Sequence, residues 1–190
     1  MLQEAVARDP RNPSLKADLI RAGGEISGVD AAVAKARALA ASDPENNVYE
    51  LVSAELYEKA GRTPEAIGVL EKAAAARPSD EGLGIALARL YNRSGDFLKA
   101  EGVLAARLHA DPKSIPIGTA MAQQYWTTGR QQDAKKLLAD LLARQPNDGV
   151  ALLGLAEIAT AERNWPEAAG YINRARTAGI NDPAVSRLPL

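Results

Sequence analysis

The chain has 190 residues, with 23 Lys and Arg, 24 Asp and Glu, one His and no Cys, and a net charge of −1. Without Cys there are no disulfides, thiolate zinc sites or thiol nucleophiles, and one His cannot build an imidazole metal cluster. The balanced charge leaves no basic footprint for nucleic acid.

Met1–Pro10 has neither the basic start nor the apolar stretch of a secretory signal. Its importance lies in Pro10, because Pro10, Pro44, Pro78, Pro112 and Pro146 recur every 34 residues. A fixed period of that size marks a repeat architecture. It divides the chain into units 13–46, 47–80, 81–114, 115–148 and 149–182. In that register residues 1–12 are the remnant of a preceding repeat, with Leu2 and Ala5 in the apolar columns of a second helix.

Apolar residues recur at helical spacing on both sides of the middle of each unit, and Ala-rich runs favour helix over strand. In unit 13–46, Gly23-Gly24 reads as a broken helix end. Unit 47–80 opens with Asn47 and Glu50 as a capping pair. It carries Tyr57 and the turn Gly61, and restarts at Thr63-Pro64-Glu65 as cap, first-turn Pro and first-turn acid. Unit 81–114 repeats this with Tyr91 and Gly95, and unit 115–148 with Tyr125 and Gly129. Unit 149–182 holds the longest apolar run, near Gly149–Ala156, far short of the roughly 20 residues of a spanning helix. It has Ala159 and Arg163 where Tyr and Gly are expected, as unit 13–46 has Gly23 and Ser27. Ala32, Ala66, Ala100, Ala134 and Ala168 fill the twentieth position of every unit, and small residues there let two helices approach closely. Residues 183–190 read as the start of a following helix. With a remnant at each end and no polar capping element, the sequence is expected to be a piece of a longer array. Exposed apolar faces at Leu2, Ala5 and Val6 and at Ile172, Ala175 and Ile180 would then support self-association.

A 34-residue helix–turn–helix with these columns resembles the tetratricopeptide repeat. Unit 47–80 is the best match, through Ala54, Tyr57, Gly61, Ala66, Leu70, Ala73 and Pro78. The resemblance implies an all-α fold: one right-handed superhelical solenoid over residues 1–190, with ten hairpin helices of about 14 residues, each about 21 Å long, plus the N-terminal half-helix. Tyr57, Leu70, Tyr91, Leu104, Tyr125 and Leu138 are expected in its core.

Chemistry is sparse. His109 falls at a helix end, where a cation suits the dipole, and Asp96, Asp133 and Glu167 fall at helix starts, where an acid does. No phosphate-cradling Gly loop is present. No enzymatic activity and no cofactor are expected. The ninth position of the units reads Arg21, Glu55, Arg89, Gln123, Glu157, a mixed ladder that does not track a phosphate backbone.

The resemblance implies instead that the first helices line a concave groove for a peptide or helix. The groove residues are then Arg21; Leu51, Val52 and Glu55; Ile85, Arg89, Asn92 and Arg93; Gln123 and Trp126; and Leu153 and Glu157. The Lys and Asn of the family's carboxylate clamp are absent at the pairs 17/21, 51/55, 85/89, 119/123 and 153/157. Trp126 is the expected hot spot, with packing over the adjacent hairpin as the competing role, and Trp165 is expected to pack as Phe97 does. Leu90-Tyr91-Asn92-Arg93-Ser94-Gly95-Asp96 is similar to phrases in bacterial exopolysaccharide-system scaffolds, such as PEP-CTERM-system repeat lipoproteins and the cellulose-synthase operon C protein. That would place the protein in the periplasm or envelope, against a cytoplasmic setting. The expected function is a non-catalytic protein-binding scaffold, with a self-assembling structural array as the alternative.

Overall fold

A computed structural model describes residues 2–179. Eleven α-helices and no strand occur among them. They are α1 (Leu2–Arg8), α2 (Pro13–Ser27), α3 (Val29–Ser42), α4 (Val48–Lys59), α5 (Thr63–Ala76), α6 (Glu81–Ser94), α7 (Phe97–Ala110), α8 (Ile115–Thr127), α9 (Gln131–Arg144), α10 (Gly149–Ala161) and α11 (Trp165–Thr177). The second helix of every unit begins 34 residues after the last, at Val29, Thr63, Phe97, Gln131 and Trp165. The chain divides into two compact units, Met1–Val103 and Leu104–Leu190. In the first, α2 packs on α3 and α4, and α4 on α5; in the second, α8 packs on α9, and α10 on α9 and α11.

The turn that closes each hairpin follows from one residue. The helical ladder leaves the last carbonyls without partners. A residue in the left-handed region lets its own amide and the next one turn back onto them. Gly61, Gly95 and Gly129 take φ of 73°, 84° and 78°. The amide after each donates to the Tyr carbonyl five residues back: Arg62 to Tyr57 at 2.8 Å, Asp96 to Tyr91 at 2.8 Å and Arg130 to Tyr125 at 2.7 Å. Where the sequence lacks this Gly, two different solutions appear. In the first unit Ser27 stays helical and Gly28 takes the positive φ of 87°. In the last, Arg163 itself adopts φ 60°, the one non-Gly residue to do so among those described, and Asn164 N–H still reaches Ala159 O at 2.8 Å.

Several local expectations are corrected. Gly23-Gly24 does not break a helix, since α2 runs through it to Ser27. A Cβ on Gly24 would lie 2.7 Å from Leu56 Cδ2, so this glycine admits a neighbouring helix. Asn47 does not cap α4: it donates to both carboxylate oxygens of Asp80, at 3.0 and 2.7 Å, while Glu50 pairs with Arg77 at 2.7 Å. Thr63 is already helical, with Arg62 before it as the cap residue. Side-chain caps at other first helices come from Asn12, Asp80, Ser114 and Asp148.

The column alanines are 0–4% exposed, and Tyr57, Leu70, Tyr91, Leu104 and Leu138 are buried with them. Tyr125 is only half-buried; it packs against the core of the second unit while Arg130 covers its ring at 4.2 Å. Arg62 covers Tyr57 at 4.6 Å in the same way, a cation–π contact that seals the hairpin end. Tyr91 donates its hydroxyl proton to Glu71 on α5. Adjacent repeats are also tied by arginines that donate to the exit-turn carbonyls, Arg77 to Pro44 and Arg144 to Pro112. Phe97 and Trp165 remain 42% and 48% exposed, so neither is the interior aromatic expected. Ile172 and Ala175 are buried against the last hairpin, which removes them from any bare terminal face. Ala5 and Val6 are half-buried. The Leu2 side chain, Ile180 and residues 183–190 lie outside the described residues.

Two substitutions test this packing. Ala100 is fully buried, and Ala100→Leu should destabilise by about 1–3 kcal/mol through overpacking; calorimetry showing an unchanged melting temperature would refute the register. Arg163→Gly relieves the left-handed strain, set against the extra entropy of an unfolded glycine, and should stabilise by about 0.5–1 kcal/mol in urea unfolding.

Candidate protein-binding concavities

Sequence placed the site on the first helices, and in each compact unit those helices carry a concavity that gathers several of the expected residues. In the first unit the wall is made by α4 and α6. Leu51, Ile85 and Ala86 supply the apolar part, and Glu55, Glu58, Arg89 and Arg93 the charged rim, around about 570 Å³. Both helices line this concavity with the stripes that their burial elsewhere leaves open. Leu83, Leu87, Leu90 and Tyr91 of α6 are buried, leaving Ile85 and Arg89 four apart on one stripe.

The charges there are mostly engaged with one another. Arg21 Nε donates to Glu55 Oε2 at 2.8 Å, and its Nη1 to Asp18 at 2.6 Å. Lys59 reaches Glu55 at 2.9 Å from the next turn. Arg93 pairs with Glu58. Arg89 is exposed and pairs with none of the described residues. Arg21 lines a neighbouring hollow beside Gly24 and Leu56 rather than this one.

In the second unit α8 and α10 enclose a smaller space of about 230 Å³. Trp126, Val150, Leu153 and Gly154 line it, together with Gln123, Glu157 and Leu138. Gly154 matters here because a Cβ would stand 2.9 Å from Leu138 Cδ1; the bare backbone lets α10 sit close to α9. Trp126 is half-buried, and it both lines the space and packs against the core of this unit. It therefore packs as the competing role requires and also faces the concavity.

The structure brings Leu51, Glu55, Ile85, Arg89 and Arg93 together in one concavity and Gln123, Trp126, Leu153 and Glu157 in the other. Val52 does not belong to a binding surface. It is 0% exposed, because α4 packs against α2, α3 and α5 and only a narrow stripe through Leu51 and Glu55 stays open. Asn92 is half-buried in the last turn of α6, where its carbonyl accepts the Gly95 amide at 3.1 Å, and it lies off the concave wall. Val150 was missed. It is 60% exposed and stands three, four and seven residues before Leu153, Gly154 and Glu157, a helical spacing that the sequence does contain. Among the described residues no group of three or more His, Cys, Asp or Glu is placed to hold a metal ion, and no helix is long and apolar enough to cross a membrane.

The Glu55 cluster carries a pH dependence. Burial alone would raise the Glu55 pKa, but hydrogen bonds from Arg21 and Lys59 outweigh it and hold the carboxyl below its ordinary value of 4.5. A carboxylate depressed on folding stabilises the native state above its unfolded pKa, and this contribution is lost as the pH falls through the folded value. Urea unfolding of the wild type should therefore lose stability below about pH 4.5, and Glu55→Gln should lose less over that interval. Identical acid limbs would contradict the pairing.

Comparison with known proteins agrees with the repeat and the fold. Two family models described as tetratricopeptide repeat match the chain, one over residues 57–123 and the other over residues 17–81 and 119–183. No curated protein sequence matches it. A solved tetratricopeptide repeat protein from Parabacteroides merdae is 18% identical, covering 98% of this chain and 74% of its own with a TM-score of 0.67. TTC0263, a thermophilic protein of the same type from Thermus thermophilus, is 24% identical over 84% of this chain and 86% of its own, with a TM-score of 0.62. YrrB, described as having an unusual peptide-binding site, is 12% identical over 97% and 95%, with a TM-score of 0.58. At these identities the solved structures share the fold. The hairpin period, the left-handed turns and the family matches over most of the length agree, and the chain belongs to the tetratricopeptide repeat family.

Proposed function

We propose that the protein is a non-catalytic scaffold that holds a peptide or helix of a partner protein against its first helices. The observation that carries this reading is the concavity of α8 and α10. It joins a half-buried Trp, an exposed Val and a Leu in a space of about 230 Å³ with a polar rim. That volume suits one or two apolar side chains rather than a drug-sized ligand, whose sites run from about 300 Å³ upward. An aromatic anchor in a pocket with a polar surround is the composition of interface hot spots. An amphipathic helix presenting apolar residues one turn apart would fill it.

The likeness of Leu90–Asp96 to exopolysaccharide-system scaffolds supplies a setting for that partner, an envelope assembly of bacteria. Finding envelope components among the captured proteins would support the setting, and finding only cytoplasmic ones would remove it. The alternative, a self-assembling array, would show as concentration-dependent growth in light scattering with no partner added.

The test uses Val150 rather than Trp126, because Trp126 also packs against the core. Val150→Asp alters an exposed wall residue and should leave the melting temperature within about 1 °C of wild type. Affinity capture from cell extract with mass spectrometry should return partners with wild type that are lost with Val150→Asp. Capture unchanged by this substitution would place the binding surface elsewhere.

A further inference from the structure

We infer that the ninth position of the repeat sets the charge preference of each concavity, so that the first unit selects an acidic segment through Arg89 and the second a basic one through Glu157. This rests on the groove reading above and specifies the chemistry of its occupant. The ninth-position residues are Arg21, Glu55, Arg89, Gln123 and Glu157. In sequence they look like an uninformative mixture of signs. The structure sorts them. Arg21 and Glu55 neutralise each other across α2 and α4 at 2.8 Å, with Asp18 and Lys59 completing the cluster. Gln123 is uncharged. Two ninth-position charges are left over, and each stands on a different concavity.

Around Arg89 the other ionic groups of the wall are already engaged: Glu55 with Arg21 and Lys59, and Glu58 with Arg93. Among the described residues Glu157 is the one ionic residue lining the concavity of α8 and α10. It is exposed and pairs with none of the described residues, while Lys135 on α9 is held by Glu162 at 2.8 Å and Glu167 at 3.4 Å. An unpaired charge at the rim of an apolar recess adds little affinity by itself. It discriminates strongly against a like charge in the same place. Each concavity therefore takes an apolar side chain accompanied, about one helical turn away, by a charge opposite to its own: a carboxylate beside Leu51 and Ile85, and an ammonium or guanidinium beside Trp126 and Leu153.

The experiment is selection of a phage-displayed random peptide library on the full chain and on two charge reversals, Arg89→Glu and Glu157→Lys. Both positions are exposed, and circular dichroism verifies that each variant is folded. Wild type should enrich two peptide families, one pairing apolar with acidic residues and the other pairing apolar with basic residues. Arg89→Glu should convert only the first family to basic, and Glu157→Lys only the second to acidic. Synthetic peptides of each family should bind the matching reversal about fivefold or more weakly. Peptides that are lost on Val150→Asp or Ile85→Asp but keep their charge after reversal would overturn this inference and leave the groove reading standing. Failure to enrich any family on wild type would overturn both.

Discussion

The residue that ends each first helix with a positive φ is the constraint on which the rest of this fold depends. Reversal of the chain there brings one face of the second helix onto the first, and the first unit keeps the same alanine register with its positive φ one residue later, at Gly28. With the turn at Gly61, Gly95 and Gly129, the twentieth-position alanines fall at the crossing and pack with almost no exposure. The Tyr whose carbonyl receives the turn amide is also the Tyr whose ring is covered by Arg62 or Arg130 just beyond the turn. Backbone hydrogen bond, aromatic packing and cation–π contact thus converge on a few residues. That convergence explains how a hairpin of modest helices, only 12–15 residues each after α1, contributes to a stable array whose energy is nearly a sum over neighbouring repeats.

A fixed frame of this kind frees the remaining positions to vary. The ninth position lies on the first helices away from the alanine crossings, so a change of sign there does not disturb the hairpin. The chain uses this freedom twice over. Arg21 and Glu55 join two repeats, whereas Arg89 and Glu157 face solvent at the edges of apolar recesses. The same sequence position is structural in one place and a candidate for recognition in another: Glu55 stands 34 residues from both Arg21 and Arg89, and it pairs with Arg21 and Lys59, leaving Arg89 free of it.

The helices and their period were legible in the sequence because prolines, alanines and glycines act locally. A proline ends a helix, a small residue permits close approach, and a glycine turns left, all without reference to distant residues. The losses have equally definite causes. Gly24 looks like a helix breaker unless the Leu56 side chain it accommodates is known. Asn47 looks like a cap until Asp80, nearly a full repeat away, claims its amide. Val52 looks like a groove residue when helix phase alone is projected, because phase does not reveal that three neighbours enclose α4. Of the candidate site, the stripe of first-helix residues followed from the family resemblance projected onto the repeat register. Which charges on it are already paired did not, since pairing across repeats is a tertiary fact.

The most direct test of the account is a comparison of L-alanine with D-alanine at Gly95, the latter introduced by semisynthesis. A Cβ at this position meets nothing within 4 Å, so neighbouring atoms contribute no steric cost and only the backbone conformation, at φ 84°, is probed. If the left-handed turn governs the hairpin, L-alanine should destabilise by about 1 kcal/mol in urea unfolding. D-alanine should stabilise by about 0.4–1 kcal/mol, because it favours positive φ and narrows the unfolded ensemble. Equal stability of the two, or a gain with L-alanine from its helix propensity, would contradict the claim that this turn sets the register of the repeat.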